Sequence, residues 1–142
     1  MLFRSKFERP LNVKVTYHDP CYLGRHNQIF DAPREVIGAI PGVEMVEMAH
    51  NRANSLCCGG GGDRIWQEDL DADVKMSEIR IMEAKDTGAQ ILITACPLCL
   101  IMLEDARKTT GLEDSLQVMD LNELVAMALG LISDKGQSSN AK

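Results

Sequence analysis

Apolar and polar positions along the chain follow two periods in alternation. The stretch "NVKVTYH", Asn12 to His18, alternates β-branched with polar residues as a half-buried strand does, and the "HDPCYLG" that follows it is rich in turn formers. A helix is predicted from about Asp31 to Ile40, with Pro33 in its first turn and Pro41-Gly42 as its stop. "VEMVEM", Val43 to Met48, then alternates as a second strand. From about Ile65 to Thr87 the residues Trp66, Leu70, Val74 and Ile81 recur near the helical period, which predicts one long helix or two, closed by Gly88. "AQILITA", Ala89 to Ala95, is a continuous apolar run, the signature of a strand buried on both faces. "CPLCLIMLEDARK" reads as a helix with Pro97 in its first turn, and "LQVMD", Leu116 to Asp120, as a fourth strand. Asp120 with Glu123 makes a capping box for a last helix. Its Leu121, Leu124, Val125, Ala128, Leu129 and Ile132 share one face, which should pack on the sheet.

This order predicts an α/β fold: a small parallel four-stranded sheet flanked by helices and joined by right-handed crossovers. A domain from 13 to 132 is expected, after a linker or cloning remnant at 1–12. The tail 133–142, "SDKGQSSNAK", has too little apolar surface to offset its ordering entropy and is expected to be disordered. In a parallel sheet of this kind every strand-to-helix loop opens at the carboxyl edge. Cys21 follows the first strand, Cys57 and Cys58 the second, and Cys96 and Cys99 the third, so all five cysteines are expected in loops along that edge.

Composition narrows what those cysteines do. The chain's 142 residues suit one domain, large enough to need no cross-links, and its net charge of -6 leaves no broad basic surface for nucleic acid. The N-terminus lacks the apolar core of a secretory signal and no run is long enough to span a membrane, so a cytosolic protein with reduced thiols is expected. An odd number of cysteines argues further against a disulfide framework. Five thiols exceed the four ligands of a tetrahedral zinc site, and an iron-sulfur cluster is the alternative that uses soft thiolates in this number.

The glycines at 59 to 62 carry no side chains, so backbone there can approach a bulky inorganic core and aim N–H groups at it. The helices beginning near Ile65 and at Pro97 would add their positive ends. The glycine run is no nucleotide fingerprint, because Arg64 and Ile65 stand where a third Gly or Ala is required, and no Lys-Ser or Lys-Thr follows. Two other readings stay open: "CPLC" alone suggests a thioredoxin-like dithiol of Cys96 and Cys99, and zinc suits four of the five thiols. His18 and Asp19 stand just before Cys21, where they are candidates for a proton relay or for tuning a metal site, against the plainer reading of a turn. Arg25 and His26 are either an anion or partner site or solvated surface. Trp66 reads as core, and Met45, Met48, Met82 and Met102 fit strand or helix faces.

Taken together, "YHDPCYLGR" (Tyr17 to Arg25), "CCGGGG" (Cys57 to Gly62) and "CPLC" (Cys96 to Cys99) resemble the cysteine-rich CCG domain of the heterodisulfide reductase and glycolate oxidase iron-sulfur subunit family. Lactate-utilisation proteins and many membrane-associated respiratory subunits share that domain. The likeness runs from about Val13 to Leu131. It implies a noncubane four-iron, four-sulfur cluster held by Cys21, Cys57, Cys58, Cys96 and Cys99, with Gly59, Gly60 and Pro97 against it, although some copies of the domain carry zinc. Family proteins usually hold two CCG domains, often behind a ferredoxin-like segment, whereas this chain has one copy and no ferredoxin motif. The resemblance therefore implies an oxidoreductase module working with ferredoxin-like, flavoprotein or second CCG partners, cytoplasmic and held at the inner membrane through them. Electrons would pass to a disulfide, a quinone or a partner protein. The alternative is a non-catalytic, zinc-stabilised interaction domain.

Overall fold

The structure, a computed structural model, describes residue 7, residues 9–62 and residues 74–133. Among the described residues, strands β1 (Val13–Tyr17), β2 (Val43–Val46), β3 (Ile91–Thr94) and β4 (Gln117–Asp120) alternate with helices α1 (Asp31–Ala39), α2 (Met76–Asp86), α3 (Pro97–Thr109) and α4 (Leu121–Ala128). The four strands form one sheet in the order β2-β1-β3-β4, and every pairing is parallel. The α/β fold expected from the alternating pattern is the fold observed.

The register separates two cores. Val15 lies opposite Met45 on one side and Ile91 on the other. Val15, Tyr17, Ile91 and Ile93 point to the face covered by α1 and α4, where they pack with Ile37, Leu124 and Ala128. Leu92 and Val118 point to the opposite face, among Ile81 and Ala84 of α2 and Leu103 and Ala106 of α3. β3 is buried along its whole length, which is why its sequence shows no alternation.

Helix ends follow the chemistry of their residues. Pro97 occupies the first turn of α3, where a missing N–H costs nothing. Asp120 caps α4 by accepting from the Asn122 N–H at 2.8 Å, and the Glu123 carboxylate accepts the Asp120 N–H at 3.0 Å. Gly88, at φ +71°, turns the chain out of α2 as expected. Of the stretch predicted as helix from Ile65, the described residues show α2 at Met76–Asp86, with Val74 ahead of it exposed, while Trp66 and Leu70 lie outside the described residues.

One expectation about packing needs correction. Leu124 and Ala128 are buried, but Gly130 at φ +72° ends the helical path, so Ile132 leaves the shared face and stands exposed. A helical wheel drawn past a helix-stopping glycine overextends the face. Ahead of β1, Phe7 and Leu11 pack against the α1/α4 core, and the Leu11 N–H bonds the Pro41 carbonyl at 3.0 Å. No helix among the described residues is long and apolar enough to cross a membrane.

Candidate metal centre

The strand order places the centre. From β1 the chain runs outward to β2 and returns past β1 to β3, so the connections leaving β1 and β3 diverge to opposite faces and open a crevice between their carboxyl ends. The cysteine loops meet at this crevice. The His18 N–H bonds the Ile93 carbonyl at 2.8 Å, carrying the β1–β3 ladder up to its rim. Cys21 then opens a single π-type turn, Tyr22–His26, closed by the His26 N–H on the Cys21 carbonyl at 3.0 Å. Gly24 lets this turn lie on Phe30, because a Cβ there would come within 2.9 Å of the ring.

From the β2 side, a 3-10 turn at Arg52–Asn54 delivers Cys57 and Cys58; from the β3 side, Cys96 precedes α3 and Cys99 sits in its first turn. Cys21, Cys57, Cys58 and Cys99 line one cleft together with His18 and Asp19. The Cys58 and Cys99 sulfurs stand 3.4 Å apart, and Cys96 packs beside them against the α2/α3 core. All five cysteines are free thiols.

The glycine run serves two local needs. The Gly59 N–H points at the Cys57 sulfur at 3.2 Å, with the backbone at φ +82° to aim it, and the Gly60 N–H bonds Cys58. At Gly60, a Cβ would lie 2.7 Å from Met102 Cγ and 3.1 Å from Leu98 Cγ, so the loop can press onto α3 only without a side chain. Gly60→Ala should therefore displace the Cys57-Cys58 loop from α3 and cost about 1–3 kcal/mol, seen as a lower midpoint in urea at unchanged slope. Gly61 and Gly62 meet nothing within 4 Å.

This environment favours thiolate. Cys99 donates across the pair, and that bond, joined by His18 and the Gly60 N–H, draws the Cys58 thiol well below the ordinary thiol range against the opposing effect of burial. The same bond and burial push Cys99 up. A negative sulfur surrounded by donors, with further thiols alongside and the α3 N-terminus at its back, is the donor chemistry that soft, thiophilic metal groups require. The residues present fit such a group.

His18 and Asp19 are adjacent in sequence but project to opposite faces of the sheet, and each finds an arginine, the half-buried Arg34 for Asp19 and the fully buried Arg80 for His18. Asp19 accepts from both terminal Arg34 nitrogens, at 2.7 and 2.8 Å, and from the Arg52 N–H at 2.7 Å. Burial raises its pKa, yet these partners outweigh burial and hold it below the ordinary carboxylate range. Arg34 also grips Glu47 and lies over the Tyr17 ring, 5.2 Å from its centroid. His18 is 1 % exposed and accepts from Arg80 Nε at 3.0 Å. Burial, followed by the Arg80 charge, keeps the ring neutral despite the pull of Cys58. Arg25 bonds the Ser55 carbonyl at 2.6 Å and so ties the π-type turn to the loop of Cys57, while His26 packs its ring on Tyr22 at the exposed rim.

Sequence reading did not single out Arg80 or Ser55. Arg80, completely buried, bonds His18, Ser55, Glu83 and the His50 carbonyl. The signal was present, because Ser77, Arg80, Ile81 and Ala84 fall on one helical stripe and all four are buried. The loop residue Ser55 lies on no periodic pattern.

Residues 15–104 match the family model named CCG, described as a cysteine-rich domain. The chain is 48% identical over 129 residues to one of the subunits of the dihydromethanophenazine:CoB–CoM heterodisulfide reductase of Methanosarcina barkeri, an alignment covering 90% of this chain and 31% of that protein. It is 38% identical over 122 residues to a protein of Bacillus subtilis named as a probable iron-sulfur-binding oxidoreductase, covering 86% and 17%. An EtfAB:quinone oxidoreductase of Syntrophomonas wolfei is 36% identical over 134 residues, covering 89% and 18%. The chain thus spans a third or less of the length of these relatives.

Proposed function

We infer that this chain, which belongs to the CCG cysteine-rich domain family, is the iron-sulfur redox module of a heterodisulfide-reductase-like oxidoreductase. Cys21, Cys57, Cys58, Cys96 and Cys99 are the ligands of a noncubane four-iron, four-sulfur cluster. The observation that carries this reading is the convergence of three loops at the β1/β3 crevice, with the Cys58 and Cys99 sulfurs 3.4 Å apart and Cys21 and Cys57 in the same cleft. Relatives named for heterodisulfide reduction and for iron-sulfur binding support it.

A bound cluster supplies one-electron redox chemistry at the crevice. The chain's own residues prepare the place. The Gly59 and Gly60 N–H groups and the first turn of α3, opened by Pro97, stabilise negative sulfur. Asp19 and Arg34 fix the loop that carries Cys21 against α1, and His18 offers its imidazole to Cys58. Neither His18 nor Asp19 faces open solvent, so both act within the crevice, His18 on Cys58 and Asp19 as the charged partner of Arg34. The domain running from 13 to 132 works beside ferredoxin-like, flavoprotein or second CCG units, in the cytoplasm and at the membrane only through them. Its electrons go to a disulfide, a quinone or one of these partners.

A zinc-binding, non-catalytic domain is the second reading, favoured by one observation: ligand atoms of His18, Cys58 and Cys99 all lie within 4.8 Å of one another. Loading under anaerobic conditions with iron, sulfide and zinc all present separates the two. Bound iron with matching acid-labile sulfide supports the cluster, and stoichiometric zinc in a colourless protein supports the alternative.

A further inference from the structure

His18 stands close enough to Cys58 and Cys99 to pass for a metal ligand, but the residue behind it argues otherwise. A ligating imidazole ordinarily turns its second nitrogen as an N–H donor toward a carboxylate or carbonyl. Here that second nitrogen, Nδ1, faces Arg80 Nε at 3.0 Å. A guanidinium has donors and no acceptor, so His18 Nδ1 must be the accepting, unprotonated nitrogen and the ring proton must sit on Nε2.

Arg80 has no freedom to relax this demand. Its Nη1 bonds the His50 carbonyl and Glu83 Oε2, both at 2.7 Å, and its Nη2 bonds Ser55 Oγ at 3.0 Å. Four of the five guanidinium N–H groups are thereby engaged, on a side chain with no exposure. Three of the four partners, His18, His50 and Ser55, belong to the loops that lead into Cys21 and Cys57.

We propose that Arg80 is a positioning residue that fixes His18 as the Nε2–H tautomer, making the imidazole a hydrogen-bond donor to the Cys58 sulfur and excluding it from the metal's ligands. The proposal rests on the cluster reading only for its effect on potential; the tautomer itself is a property of the metal-free chain. A donor aimed at a ligand sulfur stabilises the more negative, reduced state, so His18 raises the reduction potential of whatever redox metal group Cys58 holds.

The first test is nitrogen-15 NMR of the imidazoles in the reduced, metal-free 142-residue chain. The expected result is a proton on His18 Nε2 and a pyridine-like Nδ1; a proton on Nδ1 overturns the proposal. Arg80→Lys keeps the charge but loses the fork, and should yield a mixture of both tautomers. An unchanged tautomer in that variant overturns the role given to Arg80. In the iron-loaded chain, His18→Gln can still accept from Arg80 and donate to Cys58. It should keep the full metal content and a potential nearer the starting value than His18→Leu, which should shift to a more negative potential. Metal loss in both His18→Gln and His18→Leu would show the imidazole to be a ligand and overturn the proposal. If no form of the chain binds iron, the cluster reading fails while the NMR result still decides the tautomer.

Discussion

Cys58→Ser is expected to lower the affinity of the centre for iron by more than about 100-fold, because replacing residues that merely support a ligand already costs about 10–100-fold. The serine hydroxyl stays protonated where the Cys58 thiol is held as thiolate, so the variant lacks both the anion and the soft atom. It also leaves Cys99 and the Gly60 N–H to donate to a neutral hydroxyl in place of a thiolate. Iron per chain after anaerobic loading, measured with Met82→Leu on the exposed side of α2 as a control, checks the result. Full iron retention in Cys58→Ser would remove Cys58 from the ligand set.

The second large effect concerns stability. Arg34→Met should destabilise the metal-free fold by about 3 kcal/mol at neutral pH, because it leaves the Asp19 carboxylate, 2 % exposed in its side chain, buried with only the Arg52 N–H for a partner. The melting temperature should fall by about 10 °C. The pH dependence fixes the cause. The folded-state pKa of Asp19 lies below its unfolded value, so the unfolded chain binds more protons in that range and the pair stabilises fully only above the ordinary carboxylate pKa. As pH falls below about 4, the gap between wild type and Arg34→Met should close. A gap that stays constant down to pH 3 would show that lost packing of Arg34 over Tyr17, rather than the ion pair, sets the cost.

Periodicity and loop placement made most of the architecture legible. The unbroken apolar run of β3, the Asp120–Glu123 box and Pro97 each specify an element by local physics, and each stands where the sequence puts it. The cysteine positions were legible for the same reason, since parallel connectivity alone sends the loops after β1, β2 and β3 to one edge. The strand order was not. Nothing local in "VKVTY" says that β1 lies between β2 and β3, and it is that placement which turns a row of loops into a crevice. His18 and Asp19 were visible as residues of interest, but their partners were not, because Arg34 and Arg80 lie on separate helices, 15 and 62 residues further on, and acquire meaning only once α1 and α2 are laid on opposite faces. The end of α4 shows the converse error, in which a pattern read past Gly130 gave Ile132 a place in a core it does not enter.

Native mass spectrometry of the anaerobically loaded chain tests the ligand assignment most directly, because it counts the atoms bound to each molecule. The cluster account predicts a mass increment of four irons with their sulfides in the wild-type chain, and loss of that species when any one of the five cysteines is changed to serine. A single zinc or iron atom per chain, retained unchanged in Cys21→Ser and Cys57→Ser, would contradict it.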